Sequence, residues 1–227
     1  MKTKLILFDI DGTLLTSGGS GERALRMALK DRFGHDEDLQ HVEIAGRTDT
    51  GIAMRILEKH GTPPTPENIT LFLDGYLQHL DAELKRSDGR LLPGILQLLN
   101  KLKTRPHIVL ALLTGNLSKG AQIKLTHYGI WNFFEFGAYA DDHHDRNELG
   151  RFARARALEK HGVEFAPEDI FVIGDTRHDI DCGRIFGAKT VAIATGNFTR
   201  EQLAVHHPDF LFDDLSNVDE VIAKLGL

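Results

Sequence analysis

Two aspartates and a threonine lie directly after the first hydrophobic run of this 227-residue sequence. The run covers residues 4–8, and Asp9, Asp11 and Thr13 follow it around a glycine at position 12. Carboxylates two residues apart can divide the work of a reaction, since one acts as a nucleophile or metal ligand while the other transfers protons. Taken alone, the same residues also fit an ordinary turn at the end of a strand.

A hydroxyl follows the hydrophobic run of residues 108–113. The sequence there is Thr114-Gly115-Asn116, and the helical spacing that comes next places this threonine beside a helix N-terminus. A hydroxyl and free backbone N–H groups at such a position suit a phosphate oxygen. Helix capping by the threonine is the simpler explanation if the group stands alone.

Two more acids follow a third run, residues 170–173. Asp175 and Asp179 lie in the stretch Gly-Asp-Thr-Arg-His-Asp, where helix capping would explain the acids in isolation. If the three runs are parallel strands, however, their carboxyl ends meet at one edge of a sheet. The acids and the hydroxyl would then converge on a single site.

Strand and helix patterns alternate over most of the chain. Besides the three runs above, residues 190–194 have the pattern of a buried strand and residues 210–212 that of a short edge strand. Helical spacing lies between the strands from about residue 91, over residues 95–102, 116–128, 152–158 and 179–186. This alternation predicts an α/β fold, with a Rossmann-like parallel sheet covered by helices on both faces.

The stretch between Leu15 and Gly89 interrupts this alternation with helical patterns alone. Two helices are predicted over residues 21–33 and 50–60, and a third begins at Thr65-Pro66, where proline takes the first helical position. The stretch therefore has the pattern of an inserted α-helical domain. Its predicted linkers, which carry glycine and lack apolar spacing, are residues 17–21 and 87–94.

The composition excludes several other classes of protein. With 27 Lys+Arg against 33 Asp+Glu, the net charge of −6 provides no broad basic surface for nucleic acid or an anionic membrane. A single cysteine, Cys182, excludes an intramolecular disulfide and predicts a reducing, cytoplasmic setting. The apolar run of residues 4–8 is too short for a signal peptide or a membrane span.

In their order along the chain, the motifs resemble those of the haloacid dehalogenase-like (HAD) superfamily. The likeness rests on Asp9-x-Asp11-Gly-Thr, on Thr114 after its strand, on a later basic residue and on Gly-Asp175-x-x-x-Asp179. It extends over essentially the whole chain and puts the helical insert in the position of the superfamily's C1-type cap. The domains that it implies are a core of residues 1–15 and 90–227 and a cap of residues 16–89.

The resemblance implies a role for each residue at the predicted sheet edge. Asp9 would be the nucleophile that forms an aspartyl-phosphate. Asp11 would be the general acid/base, and it points to phosphate chemistry because dehalogenases of this type lack an acid there. Thr114 would bind the transferring phosphoryl group, with Gly115 and Asn116 beside the substrate.

The same resemblance implies a magnesium site. Asp175 would hold Mg²⁺ together with the Asp9 carboxylate and the backbone carbonyl of Asp11, and Asp179 would support the site. A cation and a fixed basic side chain are required because a carboxylate cannot approach a phosphate dianion without charge compensation.

The basic residue is the point at which this sequence departs from the superfamily's usual Lys-Pro-x-Pro setting. Here the segment reads Asp-Arg-Asn-Glu-Leu, and Arg146 occupies the predicted strand–helix junction. An arginine suits the role because its planar fork binds phosphate and carboxylate well. Arg151, further along the predicted helix, is the alternative.

Two loops carry further candidates. Arg47 lies in a Gly-flanked loop before the second cap helix, and in related C1-capped enzymes such a loop closes over the substrate. Arg47 is therefore predicted to pair with a substrate anion, although a surface arginine explains it equally well. His143 and His144, among acidic neighbours, raise the alternative of a transition-metal site, whereas the absence of a periodic partner favours a solvated loop.

These features together with the resemblance predict a Mg²⁺-dependent phosphatase for a small phosphorylated metabolite. The resemblance alone implies a phosphoglycolate-type monoester as the leading substrate class. A cap over the site would exclude water and large substrates such as a protein or nucleic-acid phosphomonoester. With the acidic charge balance, no nucleic-acid or membrane partner is expected. A phosphosugar mutase with the same phosphoenzyme and a catalytically silent phospho-ligand-binding protein are the alternatives. The sequence leaves monomer and homodimer open.

Overall fold

The computed structural model describes residues 2–39 and 41–227. In this part of the chain, six parallel strands form one sheet and two short antiparallel strands form another. The strands are β1 (Lys4–Phe8), β2 (Leu15–Thr16), β3 (Arg90–Leu91), β4 (Ile108–Leu113), β5 (Gly137–Ala138), β6 (Ile170–Gly174), β7 (Lys189–Ile193) and β8 (Phe210–Phe212). The parallel sheet has the strand order β5-β4-β1-β6-β7-β8, which confirms the predicted α/β class.

The α-helices of the described residues are divided between the helical insert and the flanks of the sheet. They are α1 (Ser20–Phe33), α2 (Asp49–Lys59), α3 (Pro66–Arg86), α4 (Ile95–Lys103), α5 (Ser118–His127), α6 (Leu149–His161), α7 (Arg177–Ile185), α8 (Arg200–Ala204) and α9 (Val218–Leu225). Within residues 2–39 and 41–227, each helix is too short or too polar to cross a membrane.

The central strand of the sheet is β1, which pairs with β4 on one side and β6 on the other. Its side chains are buried on both faces, which is why it reads as a continuous apolar run. After β1 the chain builds the sheet first toward β5 and then, from β6, in the opposite direction. Such a switch point leaves a crevice at the carboxyl ends of the central strands, where α/β proteins bind ligands.

The helical insert has its own apolar cluster between α1, α2 and α3. The predicted stripe of α3 is buried at Phe72, Tyr76 and Leu80, and Thr65 caps the helix by accepting a hydrogen bond from the N–H of Asn68. Two residues from the sheet side, Leu117 and Ala140, complete the cluster. The insert therefore packs directly onto the segments that follow β4 and β5.

Some details of the sequence predictions were wrong. Three short strands were missed: β2 and β3, which form an antiparallel ribbon, and β5. Of these, β3 lies within the predicted linker of residues 87–94. Strands of two residues have no periodicity to detect. Helix α6 is longer than residues 152–158, while α5 and α7 begin two residues away from their predicted starts. Apolar spacing marks the buried turns of a helix and does not define its terminal residues.

Candidate active site

The three predicted groups meet at the carboxyl edge of the sheet. Asp9 follows β1, Thr114 follows β4 and Asp175 follows β6, each as the next residue after its strand. Both aspartates are buried, and together with Asp179 they offer carboxylate oxygens that all lie within 4.8 Å of one another. The parallel register of β4, β1 and β6 is what aligns these positions.

Gly12 and Thr13 shape the loop after β1 around Asp175. Gly12 has a φ of +83°, and a Cβ atom at this position would overlap the Asp175 carboxylate. The hydroxyl of Thr13 donates a hydrogen bond of 3.2 Å to the same carboxylate. Both residues of the Asp-Gly-Thr motif therefore hold the loop against the end of β6, in addition to forming a turn.

Arg146 supplies the positive charge at this edge. Its side chain is only 6% exposed, and its Nη2 donates to Asp9 Oδ1 at 2.9 Å and also to Asp179. The residue lies on a short 3₁₀ helix, Arg146–Glu148, directly before α6. Arg151, by contrast, is 62% exposed and pairs with Glu148 at 3.2 Å, so it does not reach the sheet edge.

The acids at the edge outnumber the guanidinium. Burial raises the pKa of Asp9 to about 6, although Arg146 opposes this shift. Burial, and then the neighbouring carboxylates of Asp179 and Asp9, raise the pKa of Asp175 well above its ordinary value. Burial by itself would lower the pKa of Arg146, but the carboxylates of Asp179 and Asp9 raise it above its ordinary value. Three clustered hard oxygen donors with excess negative charge fit a divalent cation such as Mg²⁺.

The Asp11 carboxylate lies apart from this cluster. Its Oδ2 accepts hydrogen bonds from Asn116 Nδ2 at 2.9 Å and from Lys124 Nζ at 2.5 Å. Asn116 also donates to the hydroxyl oxygen of Thr114 at 3.0 Å, and Thr114 is completely buried. Gly115 and Asn116 line the cavity between the sheet edge and the insert, whereas Thr114 is not among its lining residues.

Lys124 and Asp49 are site residues that the sequence analysis missed. Lys124 lies on the buried face of α5 beside Ala121 and Leu125, and a lysine on an apolar face was the signal available for it. Asp49 begins α2, and its Oδ2 accepts from the N–H of Leu117 at 2.8 Å. Burial raises the pKa of Asp49 to about 6, against the effect of Lys124.

Arg47 lies at the site but has a partner within the insert. Its guanidinium donates to Glu43 through Nε at 3.0 Å and Nη2 at 2.6 Å. Its backbone carbonyl sits so close to Gly115 that a Cβ atom at Gly115 would overlap it. The Arg47 loop is therefore in direct contact with the segment after β4.

A cavity of about 420 Å³ lies between the sheet edge and the helical insert. Its volume is in the range of small-ligand sites. The sheet side contributes Asp9, Asp11, Asn116, Lys124, Arg146 and Asp175 to its walls, and the insert contributes Glu22, Leu25, Arg47, Asp49, Ile52 and Tyr76.

The loop of His143 and His144 lies outside this cavity. Their rings stack with centroids 4.5 Å apart, and the backbone carbonyl of His144 accepts a hydrogen bond from Thr48. Within residues 2–39 and 41–227, no third metal-ligating side chain joins them. Cys182, which is buried, donates to the carbonyl of Arg146 at 3.2 Å.

Comparison with known proteins finds relatives along nearly the full length of the chain. A protein named "Probable phosphatase IndB" from Dickeya dadantii is 26% identical over 223 residues, which covers 94% of this chain and 91% of the relative. A phosphoglycolate phosphatase from Vibrio cholerae is 28% identical over 225 residues and 96% of each chain.

Solved structures share the fold. The crystal structure of CbbY from Rhodobacter sphaeroides in complex with phosphate superposes with a TM-score of 0.76 at 20% identity, and covers 95% of this chain and 96% of that one. The family profile described as haloacid dehalogenase-like hydrolase matches residues 6–184, which contain Asp9, the helical insert, Arg146 and Asp179. With the motif residues gathered at one sheet edge and this match over most of its length, the chain belongs to the haloacid dehalogenase-like hydrolase family.

Proposed function

We propose that this protein is a Mg²⁺-dependent phosphatase that hydrolyses a small phosphorylated metabolite through an aspartyl-phosphate on Asp9. The observation that carries the proposal is the pairing of Asp9 with Arg146 at the floor of a cavity that Asp11 also lines. This arrangement puts a nucleophile, a fixed positive charge and a second acid within one small space. The names of the relatives, which are phosphatases, support the same activity.

In the first step, an oxygen of the Asp9 carboxylate attacks phosphorus and the ester P–O bond breaks. Arg146 orients the carboxylate and balances the charge that builds up on the phosphoryl oxygens. Asp11 gives a proton to the leaving alkoxide. In the second step, Asp11 takes a proton from a water molecule, which attacks the phosphorus of the acyl-phosphate and releases inorganic phosphate and free Asp9.

The carboxylates of Asp9 and Asp175 would hold the Mg²⁺, with Asp179 supporting them. The metal supplies charge compensation for the approach of a carboxylate to a phosphate dianion. Asp179 has a second role. Its Oδ2 accepts hydrogen bonds from both the N–H and the hydroxyl of Thr176, and its Oδ1 accepts one from Arg146 Nη2. It thereby ties the start of α7 to the basic residue.

The helical insert of residues 16–89 acts in this proposal as a cap that limits the substrate to a small molecule. Residues from α1, α2 and α3 form one wall of the 420 Å³ cavity. A monoester of the phosphoglycolate type, with a second anion close to the phosphoryl group, suits a space of this size that has Arg47 in its wall. Excluding bulk water during the first step protects the phosphoenzyme.

A panel of phosphorylated metabolites tests the proposal. Purified protein is incubated with each compound and Mg²⁺, and inorganic phosphate is measured, with an EDTA-treated sample as the control. We expect phosphate release from small monoesters, its loss in EDTA and its recovery with added Mg²⁺. Isomerisation of a sugar phosphate without phosphate release, detected by NMR, would instead indicate a mutase. Binding without either reaction would indicate a silent member of the family, and recovery with Zn²⁺ alone would contradict the magnesium site.

A further inference from the structure

Lys124 is a buried ammonium group in contact with the candidate general acid/base. The residue is 4% exposed, and its Nζ lies 2.5 Å from Asp11 Oδ2 and 2.6 Å from Asn116 Oδ1. A buried charge is costly unless it is paired and hydrogen-bonded. The position of Lys124 is therefore set by these two partners.

Two donors converge on the same oxygen of Asp11. Asn116 Nδ2 donates to Oδ2 at 2.9 Å, so Oδ2 receives one hydrogen bond from the amide and another from Lys124. In the described part of the chain, the side-chain hydrogen bonds of Asp11 all involve Oδ2. The Asp11 side chain is nevertheless 40% exposed and lines the cavity, which leaves Oδ1 available to a substrate.

The other acid that faces Lys124 is already engaged. Asp49 Oδ2 accepts from the N–H of Leu117, and its own backbone N–H donates to the carbonyl of Gly115. Both contacts tie Asp49 to the segment after β4. Lys124 is thus left with Asp11 and Asn116 as its hydrogen-bonding partners among the described residues.

We propose that Lys124 is a positioning residue, which fixes the Asp11 carboxylate by Oδ2 so that Oδ1 performs both proton transfers. This inference rests on the proposed function. The terminal torsion of an aspartate is broad, so an unheld carboxylate samples many orientations. Misplacement of a reacting group by about 1 Å can cost about 10²-fold in rate. Lys124 and Asn116 together remove that freedom.

The test compares Lys124→Met and Lys124→Arg with Lys119→Met, an exposed lysine on the same helix. With 4-nitrophenyl phosphate, the good leaving group departs without an acid, whereas hydrolysis of the phosphoenzyme still needs Asp11. Lys124→Met should therefore give a burst of about one 4-nitrophenolate per site, followed by steady-state turnover that is slower by roughly 10²-fold. KM should rise little, Lys124→Arg should recover part of the rate, and Lys119→Met should match the wild type. If Lys124→Met fails to fold, Lys124→Gln takes its place.

A double-mutant cycle separates positioning from other roles. In an Asp11→Asn background there is no carboxylate to orient, so adding Lys124→Met should slow the enzyme no further. An equal loss in both backgrounds, or a higher KM with unchanged kcat, would overturn the inference and leave Lys124 a structural or substrate-binding residue. If the wild type turns over and Lys124→Met does so equally well, only this inference fails. If the wild type hydrolyses no phosphate ester, the proposed function fails and this inference with it.

Discussion

The sheet edge and the helical insert each contribute an arginine to the site, and the two arginines are held in opposite ways. Arg146 is buried and is fixed by the carboxylates of Asp9 and Asp179, which themselves follow or adjoin buried strands. Arg47 is half-buried and pairs with Glu43, a more exposed residue four positions away on the same loop. The charged groups at the sheet edge are therefore buried away from water, whereas the ion pair that the insert brings to the site is in contact with water.

Glu43 is the shared acidic partner in a group of solvent-exposed ion pairs. Besides Arg47, it contacts Arg55 of the insert and Arg177 and His178 of α7. Although partial burial opposes the effect, the hydrogen bonds from Arg47, His178 and Arg177 hold the pKa of Glu43 at about 2. Exposed ion pairs contribute only about 0–1 kcal/mol each. The ion pairs of Glu43 can therefore exchange partners at a small cost in free energy, unlike the buried pairs of Arg146.

The largest effect on activity is expected from Asp9→Asn, at the buried sheet edge. The amide is nearly isosteric with the carboxylate but cannot attack phosphorus, so turnover should fall by several orders of magnitude, since loss of the covalent route should cost several kcal/mol of barrier. Phosphate release under saturating Mg²⁺ measures the effect, and a single cooperative thermal unfolding transition shows that the variant is folded. A variant that kept more than about a tenth of wild-type activity would exclude Asp9 as the nucleophile.

Arg146→Ala should have the next largest effect. Removal of one preorganised charge-stabilising group should lower kcat by roughly 10²-fold or more. The unfolding free energy should also fall by about 3–5 kcal/mol, because buried acids lose their partner. Arg146→Lys should recover part of kcat, since it restores the charge without the fork.

Arg151→Ala is the matched control for Arg146, because it removes an exposed arginine from the adjoining helix. Its kcat should stay within a few-fold of wild type. The reverse order of the two alanine variants would give the core role to Arg151 and contradict the placement of Arg146 at the sheet edge.

A smaller, substrate-dependent effect is expected for Arg47→Ala. If Arg47 leaves Glu43 to pair with the substrate's second anion, kcat/KM should fall by about tenfold on a carboxylate-bearing monoester, the scale of one exposed to partly buried charge pair. An aryl phosphate, which has no second anion, should be affected much less. Arg55→Ala is the control, since it removes another partner of Glu43 that does not line the cavity. Equal losses on both substrates would mean that Arg47 acts on the phosphoryl group or on stability.

The smallest effect concerns stability and its dependence on pH. The folded pKa of Glu43, about 2, lies below its ordinary value of 4.5. The ion pairs therefore stabilise the fold above about pH 4.5, and this contribution is lost as the pH falls toward 2. Glu43→Gln should lower the Tm by about 1–3 °C at pH 7.

This difference in Tm should shrink as the pH is lowered from 5 to 2, and calorimetry at several pH values measures it. Glu58→Gln, an exposed carboxylate of α2, is the control. A difference that stayed constant down to pH 2 would show that the charge of Glu43 contributes nothing to stability.

The sequence by itself determined the fold class and the acids at the sheet edge. A buried parallel strand is a continuous apolar run, and the residue after it is placed at the carboxyl edge whatever the rest of the chain does. For this reason Asp9, Thr114 and Asp175 could be located from local pattern alone. The start of α3 at Thr65-Pro66 could also be predicted locally, because helix capping and proline geometry depend only on neighbouring residues. The cytoplasmic setting stays a prediction.

Contacts between distant parts of the chain were decided only by the tertiary structure. Lys124 meets Asp11 across 113 positions, and Arg177 of α7 meets Glu43 across 134. The apolar face of α5 marks Lys124 as a buried lysine, but nothing in the local sequence identifies Asp11 as its partner. The choice of Arg146 over Arg151 likewise depended on where a 3₁₀ turn ends and α6 begins, because a shift of five residues along a helix turns a side chain from the sheet edge to the surface.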